Sequence, residues 1–219
     1  MDITGAPQVL TRERAVPDAV RLDHGPVLPA FPSPYSIRVA DPNGTDPAML
    51  AEWMARPHLV EAWDQDWPEE KRRENLAAQL AGTFSLPCII SYDFAAVDRS
   101  DLGVREVGYT EFYRPARDVI GGLYHAHPRD MGFHIATADT SLLGKGVMST
   151  WIKHMVAGIA AADPECPRIM GDPDSHNKPI RRAFEKLGWI LLGEFDVRAD
   201  RRIALYMHPL ADKGLPELR

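Results

Sequence analysis

The sequence predicts a mixed α/β domain, with strands that pair with chain neighbours and also cross over behind helices. Three observations lead there. Alternating apolar runs stand next to one another at 86–92 and 104–113, and again at 189–193 and 202–207, as antiparallel pairs do. Between those pairs, an apolar run at 132–139, a Gly-containing loop and an amphipathic stretch over about 147–162 make a strand–loop–helix unit. The 219 residues, 45% hydrophobic and 26% charged, suffice for one large core that needs no disulfide or metal staple. A doubly wound sheet, with strand and helix alternating throughout, does not fit this order.

Residues 1–34 read as an arm, because Pro26, Pro29, Pro32 and Pro34 exclude both a helix and a central strand. The arm is expected either to lie over the domain through Leu28 and Phe31 or to remain a partly mobile tail. The domain itself spans 35–210 and is followed by a tail, 211–219. Tyr35-Ser36-Ile37-Arg38-Val39-Ala40 alternates and predicts the first strand. Asp46-Pro47 opens a helix, with Asp46 as N-cap and Pro47 in the first turn. Met49, Leu50, Trp53 and Met54 line its apolar face, and Pro57 stops it. A short helix at 58–63 and a longer one ending at Gly82 follow. The strands at 86–92 and 104–113 flank a polar turn, 98–103, and 114–130 is less regular. The strand at 132–139 reads as central; the helix at 147–162 leads to a short buried strand at 168–172. A helix at 177–187, with Pro179 in its first turn and Gly188 after it, precedes the closing hairpin-like pair.

Composition also excludes functions. No run approaches the roughly 20 apolar residues of a membrane helix, and 1–8 lacks the basic-then-apolar order of a secretory signal. Cys88 and Cys166 are too few for a disulfide framework or a structural zinc site. His125-Ala126-His127 has no further ligand run beside it, so no metal is expected. A cytoplasmic, monomeric protein is the expectation. The 31 acidic against 25 basic residues give a net charge of −6, which argues against a large nucleic-acid footprint.

Two stretches carry candidate chemistry. In Ser141-Leu142-Leu143-Gly144-Lys145-Gly146, the glycines let backbone N–H groups approach an anion at the start of a helix. A plain tight turn also explains them, and the loop lacks the Gly-Lys-Ser/Thr ending of a nucleotide-triphosphate loop. The second stretch, Asn177-x-x-Ile180-x-x-x-Phe184-x-x-x-Gly188-Trp189, is by itself an amphipathic helix with a Gly stop. Together, in this order and about thirty residues apart, they resemble the acyl-CoA-binding core of the GNAT acyltransferase superfamily.

That resemblance implies a mixed central sheet, splayed to admit a thioester and flanked by helices. It implies that Leu143, Gly144, Lys145, Gly146, Val147, Met148 and Asn177 hold the donor's pantetheine and pyrophosphate. Asn177 equally suits a helix cap. Three positions depart from the family pattern. Ser141 replaces Arg or Gln, Trp189 replaces Phe, and Phe184 stands where many members carry a Tyr that protonates the leaving thiolate. A weaker pyrophosphate grip and a different acid for the thiol follow.

A third set narrows the resemblance: the Trp-rich segment Glu52-Trp53-Met54-x-Arg56-Pro57-His58-Leu59-x-x-Ala62-Trp63-x-x-Asp66-Trp67-Pro68, then Gly108-Tyr109-x-Glu111-x-Tyr113, His134-x-Ala136-x-Ala138-Asp139, Asp172-Pro173-Asp174-x-x-Asn177 and Arg201-Arg202-Ile203-Ala204-Leu205-Tyr206. It is similar to the siderophore-biosynthesis branch, the mycobactin lysine N-acyltransferase family, over about 35–207. The resemblance implies direct transfer of a medium- to long-chain acyl group from acyl carrier protein or acyl-CoA to the Nε of a lysine or hydroxylysine. No permanently bound cofactor is implied. Asp172 would accept the proton and His134 would bind and orient the acceptor. The nearby N–H of Ala136 or Thr137 would face the oxyanion. Trp53, His58, Trp63 and Trp67 would form an apolar groove, with core packing as the alternative. Lys145, Arg181 and Arg182 would meet phosphopantetheine or an acidic carrier protein, or form a solvated face. An aminoglycoside N-acetyltransferase and a non-catalytic acyl-thioester-binding module are the competing readings.

Overall fold

The computed structural model describes residues 10–21, 23–63, 65–97, 99, 101–211 and 214–219. Two positions of the expected turn at 98–103, Asp98 and Ser100, lie outside them, as does 1–9. The helices are α1 (Asp18–Arg21), α2 (Asp46–Met54), α3 (Pro57–Trp63), α4 (Glu69–Ala81), α5 (Val147–Ala162) and α6 (Lys178–Lys186). The strands are β1 (Tyr35–Val39), β2 (Ser85–Asp93), β3 (Val104–Tyr113), β4 (Met131–Thr137), β5 (Arg168–Gly171), β6 (Ile190–Arg198) and β7 (Arg201–Pro209). They form one seven-stranded sheet in the order β1-β2-β3-β4-β5-β7-β6. β1 to β4 pair antiparallel, as do β5 with β7 and β7 with β6. β4 and β5 are parallel and touch at only two positions, Met131↔Ile169 and Gly132↔Met170, before they part.

Helices cover both faces. Trp151, Ile152, Met155 and Ile159 of α5 and Phe184 of α6 pack on Phe112 and Phe133. On the other face Leu50, Trp53 and Met54 of α2 and Leu76 of α4 pack on Ile89, Tyr109 and Ala136. Alternate residues of β3 and β4 thus feed opposite cores, and both strands are consequently apolar on both sides.

The departures from expectation have local causes. Asp46 does not cap α2: Thr45 stands at that position, and the Asp46 carboxylate accepts bonds from Arg38 (2.6 and 2.7 Å) and from the Asp41 N–H (2.7 Å). A charge-assisted bond across to β1 outcompetes the helix's own N–H groups. The closing hairpin is longer than its apolar runs, since Glu194, Asp196 and Arg198 keep the alternation going on its solvent side. In the arm, Phe31 stacks on Trp151 at 5.0 Å, whereas Leu28 is exposed.

Candidate active site

Where β4 and β5 part, a side chain from each side bridges the opening. His134 lies on β4 and Asp172 follows β5 directly, with His134 Nε2 3.2 Å from Asp172 Oδ1. The register of β3 on β4 explains what surrounds them. Glu111 is directly opposite His134, Tyr113 opposite Gly132, and Tyr109 opposite Ala136. These pairs share one face, and on it the large Tyr113 and Tyr109 of β3 meet the small Gly132 and Ala136 of β4. A Cβ on Gly132 would fall 2.3 Å from the Tyr113 ring. Without it, the ring stacks on His134 at 4.6 Å and the Tyr113 hydroxyl donates to Asp172 Oδ1 at 2.7 Å. Glu111 Oε2 faces His134 Nδ1 at 3.3 Å, while Tyr109 OH (2.8 Å) and Gln79 Nε2 (3.0 Å) donate to Glu111 Oε1.

The arm completes this cluster. Arg12 donates from Nε and Nη2 to Asp118 (2.9 and 2.7 Å) and from Nη2 to Asp172 Oδ2 (2.8 Å). Backbone contacts fix it there, with the Arg14 N–H on the Arg117 carbonyl at 2.7 Å and a bridge between Glu13 and Asp118. Burial alone would push the Asp172 carboxyl up. The charges of Arg12 and His134, and hydrogen bonds from His134 and Tyr113, outweigh burial and hold it well below the usual carboxylate range. Burial likewise works against a charged His134, but the Asp172 charge and bonds to Asp172 and Glu111 raise it to about 9. Glu111 is also lowered, its bonds from His134, Tyr109 and Gln79 overcoming burial. At neutral pH the bridge is therefore an imidazolium between two carboxylates. Asp118, the other carboxylate that Arg12 bridges, is instead pushed up by burial and by the Asp172 charge despite that ion pair.

The expected site residues divide into groups. His134 and Asp172 come together. Trp63 sets its edge against His134 at 5.9 Å and donates from Nε1 to the Ile135 carbonyl at 3.3 Å; His58 donates from Nε2 to the Thr137 carbonyl at 3.0 Å. Those carbonyls lie on the open edge of β4. Ala138 donates to Val107 on β3, and alternation then turns Ile135 and Thr137 outward and Ala136 inward. Trp67 lines a half-enclosed cavity beside His134, with Gln65, Glu111, Tyr113 and Arg12 also in its wall. Trp53 is a correction: it is buried in the core among Leu50, Met54 and Leu76, away from that cavity.

On the donor side, Gly144 and Gly146 adopt φ +72° and +78°, a region that favours glycine, and Val147 and Met148 begin α5. Leu143 and Lys145 are exposed. Asn177 caps α6, accepting from the Ile180 N–H. Arg181 is engaged internally, with Glu194 (2.8 Å), the Ser175 carbonyl (2.6 Å) and the Tyr206 hydroxyl (3.3 Å), while Arg182 stays exposed. Phe184 stacks on Trp189 at 4.4 Å and is wholly core. Sequence reasoning assigned no role to Glu111, Tyr113, Asp118, Gln79 or Arg12. The spacing Tyr109-x-Glu111-x-Tyr113 signals one shared strand face, but nothing local signals Arg12, which is 160 positions from Asp172. Among the described residues no group of three or more His, Cys, Asp or Glu could hold a metal, and no helix is long and apolar enough to cross a membrane.

Comparison with known proteins identifies the family and the fold. A family model described as acetyltransferase (GNAT) domain matches residues 43–197. The lysine N-acyltransferase MbtK of Mycobacterium sp. (strain MCS) is 42% identical over 209 residues, 95% of this chain and 81% of that protein. The protein of the same name from Mycobacterium tuberculosis (strain CDC 1551 / Oshkosh) is 44% identical over 198 residues, 90% and 88% of the two chains. Among solved structures, aminoglycoside acetyltransferase AAC(6')-Ib in complex with coenzyme A superposes with a TM-score of 0.65 at 24% identity, over 80% of this chain and 94% of that one, which bears on the fold. The chain belongs to the GNAT superfamily and, within it, to the family of the mycobacterial lysine N-acyltransferases: it is an N-acyltransferase.

Proposed function

We propose that this chain moves a fatty acyl group from an acyl thioester directly to the side-chain nitrogen of a lysine, free or N-hydroxylated, in siderophore assembly. The observation that carries the reading is the His134–Asp172 bridge across the mouth of the parted strands. A thioester lying in that opening would present its carbonyl to the outward N–H of Ile135 or Thr137, in place of the Ala136 N–H, which faces β3. The acceptor nitrogen attacks that carbon as the neutral amine or hydroxylamine (a lysine ammonium first gives up a proton to solvent), the C–S bond breaks, and the nitrogen then loses one further proton. A carboxylate as acidic as Asp172 is a poor base for a free ammonium. The nitrogen becomes far more acidic once bonded to the carbonyl carbon, so Asp172 need accept the proton only then. His134, raised to about 9, is an acid matched to a thiol of about 8.5, so it can hand a proton to the departing sulfur. The chain then needs neither a Tyr at position 184 nor a covalent intermediate.

On the donor side, the left-handed Gly144–Gly146 turn at the start of α5 and the exposed Lys145 and Arg182 support an anionic donor, coenzyme A or the phosphopantetheine of an acyl carrier protein. The carboxylates near His134 invite an aminoglycoside reading, but Arg12 and His134 already neutralise most of their charge, which leaves little for a polycation.

The test is turnover with acyl-CoA and acyl carrier protein donors of graded chain length on lysine and N6-hydroxylysine, read by product mass. Asp172→Asn should lower kcat by about 100-fold or more; wild-type turnover by that variant overturns the mechanism.

A further inference from the structure

His134 has a carboxylate at each ring nitrogen, and the two carboxylates are held differently. Asp172 keeps other donors if the imidazole withdraws: the Tyr113 hydroxyl on Oδ1 at 2.7 Å and Arg12 on Oδ2 at 2.8 Å. For Glu111 the Tyr109 hydroxyl (2.8 Å) and Gln79 Nε2 (3.0 Å) both donate to Oε1. Among the described residues its Oε2 accepts from His134 Nδ1 alone. Glu111 is buried, directly opposite His134 in the register of β3 on β4.

That asymmetry decides which nitrogen can release its proton. An imidazolium that loses the Nε2 proton leaves Asp172 Oδ1 still bonded to Tyr113. One that loses the Nδ1 proton leaves a buried, ionised oxygen without a donor, the more costly of the two. The surrounding charges act the same way. Arg12 offsets Asp172 through a direct bond, and Asp118 is itself bonded to Arg12. Arg72 of α4 reaches Glu111 only through space, since its own bonds go to Gln65. Tyr109 and Tyr113, pushed well up by burial, stay phenols.

We propose that Glu111 is a positioning residue: its Oε2 keeps a proton on His134 Nδ1, so that Nε2, the nitrogen turned to Asp172 and the parted strands, is the one that gives up and regains a proton. The inference rests on the acyl-transfer reading and deepens it, because the proton cycle then closes. His134 gives its Nε2 proton to the sulfur as the C–S bond breaks. Asp172 takes one proton from the attacking nitrogen and passes it across the 3.2 Å contact to the bare Nε2. A neutral amine and a thioester become an amide and a thiol, and both residues end as they began.

The full chain is assayed with N6-hydroxylysine, whose hydroxylamine nitrogen is a far weaker base than that of lysine, so the alkaline limb of kcat reports His134. In wild type the limb should lie near the folded His134 value of about 9. Glu111→Gln keeps the shape and removes the charge; the limb should move down by about 1–3 pH units while both KM values hold. A purely structural Glu111 would lower Tm and kcat without moving the limb, and an unmoved limb overturns the assignment. Proton placement is read from the imidazole nitrogen resonances of isotope-labelled wild type, assigned by their loss in His134→Asn. Above the titration they should show a proton on Nδ1 and a bare Nε2. A proton on Nε2 instead overturns the proposal, even where Glu111→Gln does not fold. If wild type turns over no acceptor, the acyl-transfer reading falls by itself, and the same spectra still decide for or against Glu111.

Discussion

Each ring nitrogen of His134 faces a carboxylate, Glu111 at 3.3 Å and Asp172 at 3.2 Å, and this sets its charge before any substrate arrives. The same contacts make a stability prediction. An imidazole raised from 6.5 to about 9 binds its proton more tightly in the folded chain. Its contribution is complete below the unfolded value and is lost as pH rises through the folded one. Stability should therefore fall between about pH 6.5 and 9, by up to ~3 kcal/mol, in denaturant unfolding followed across that range. His134→Asn should flatten the slope; a variant that keeps the full pH dependence would place its origin elsewhere. Tyr113, pushed well up by burial and the Asp172 and Asp118 charges, stays a phenol throughout and remains a donor to Asp172.

The site is made by one strand pair, and its shape depends on an alternation of size. Gly132 on β4 lets the Tyr113 ring on β3 lie flat against His134. Gly132→Ala puts a methyl where the buried Tyr113 ring is, so the ring must leave its place against His134. We expect a cost of about 1–3 kcal/mol in thermal unfolding and a parallel loss of kcat, as the hydroxyl leaves Asp172. An unchanged Tm would show that the stacked ring is dispensable. The sequence already indicated much of these elements: β3 falls at the expected residues and α5 begins and ends where its apolar spacing says. It did not indicate that α3 is tied to the open edge of β4 through His58 and Trp63, because an amphipathic helix states which face is buried but not which carbonyls it meets.

At the scale of the whole molecule, the arm belongs to the active site. Arg12 reaches two carboxylates that the sheet and the 118 turn bury, and no other guanidinium is bonded to either among the described residues. Arg12→Ala should cost about 3–5 kcal/mol by leaving a buried charge uncompensated. It should also let the Asp172 carboxyl rise, so kcat/KM falls away at a higher pH on the acid side than in wild type. Arg12→Lys should keep most of the acid limb and lose part of the stability, since an ammonium supplies charge without the two-pronged fork. An acid limb that does not move in Arg12→Ala would separate the arm from catalysis.

Periodicity, glycine placement and the Asn177 cap determined the elements and their order, because those depend on neighbours within a few positions. The family followed from motif residues at fixed spacings. Only the folded chain decided that Asp172 is an anion held by Arg12, His134 and Tyr113, that Trp53 and Phe184 are core, that Arg181 is engaged, and that Arg12 and Gln79 stand near His134. Charge state and burial depend on every group within several ångströms, and those groups come from six parts of the chain that meet only when the sheet closes.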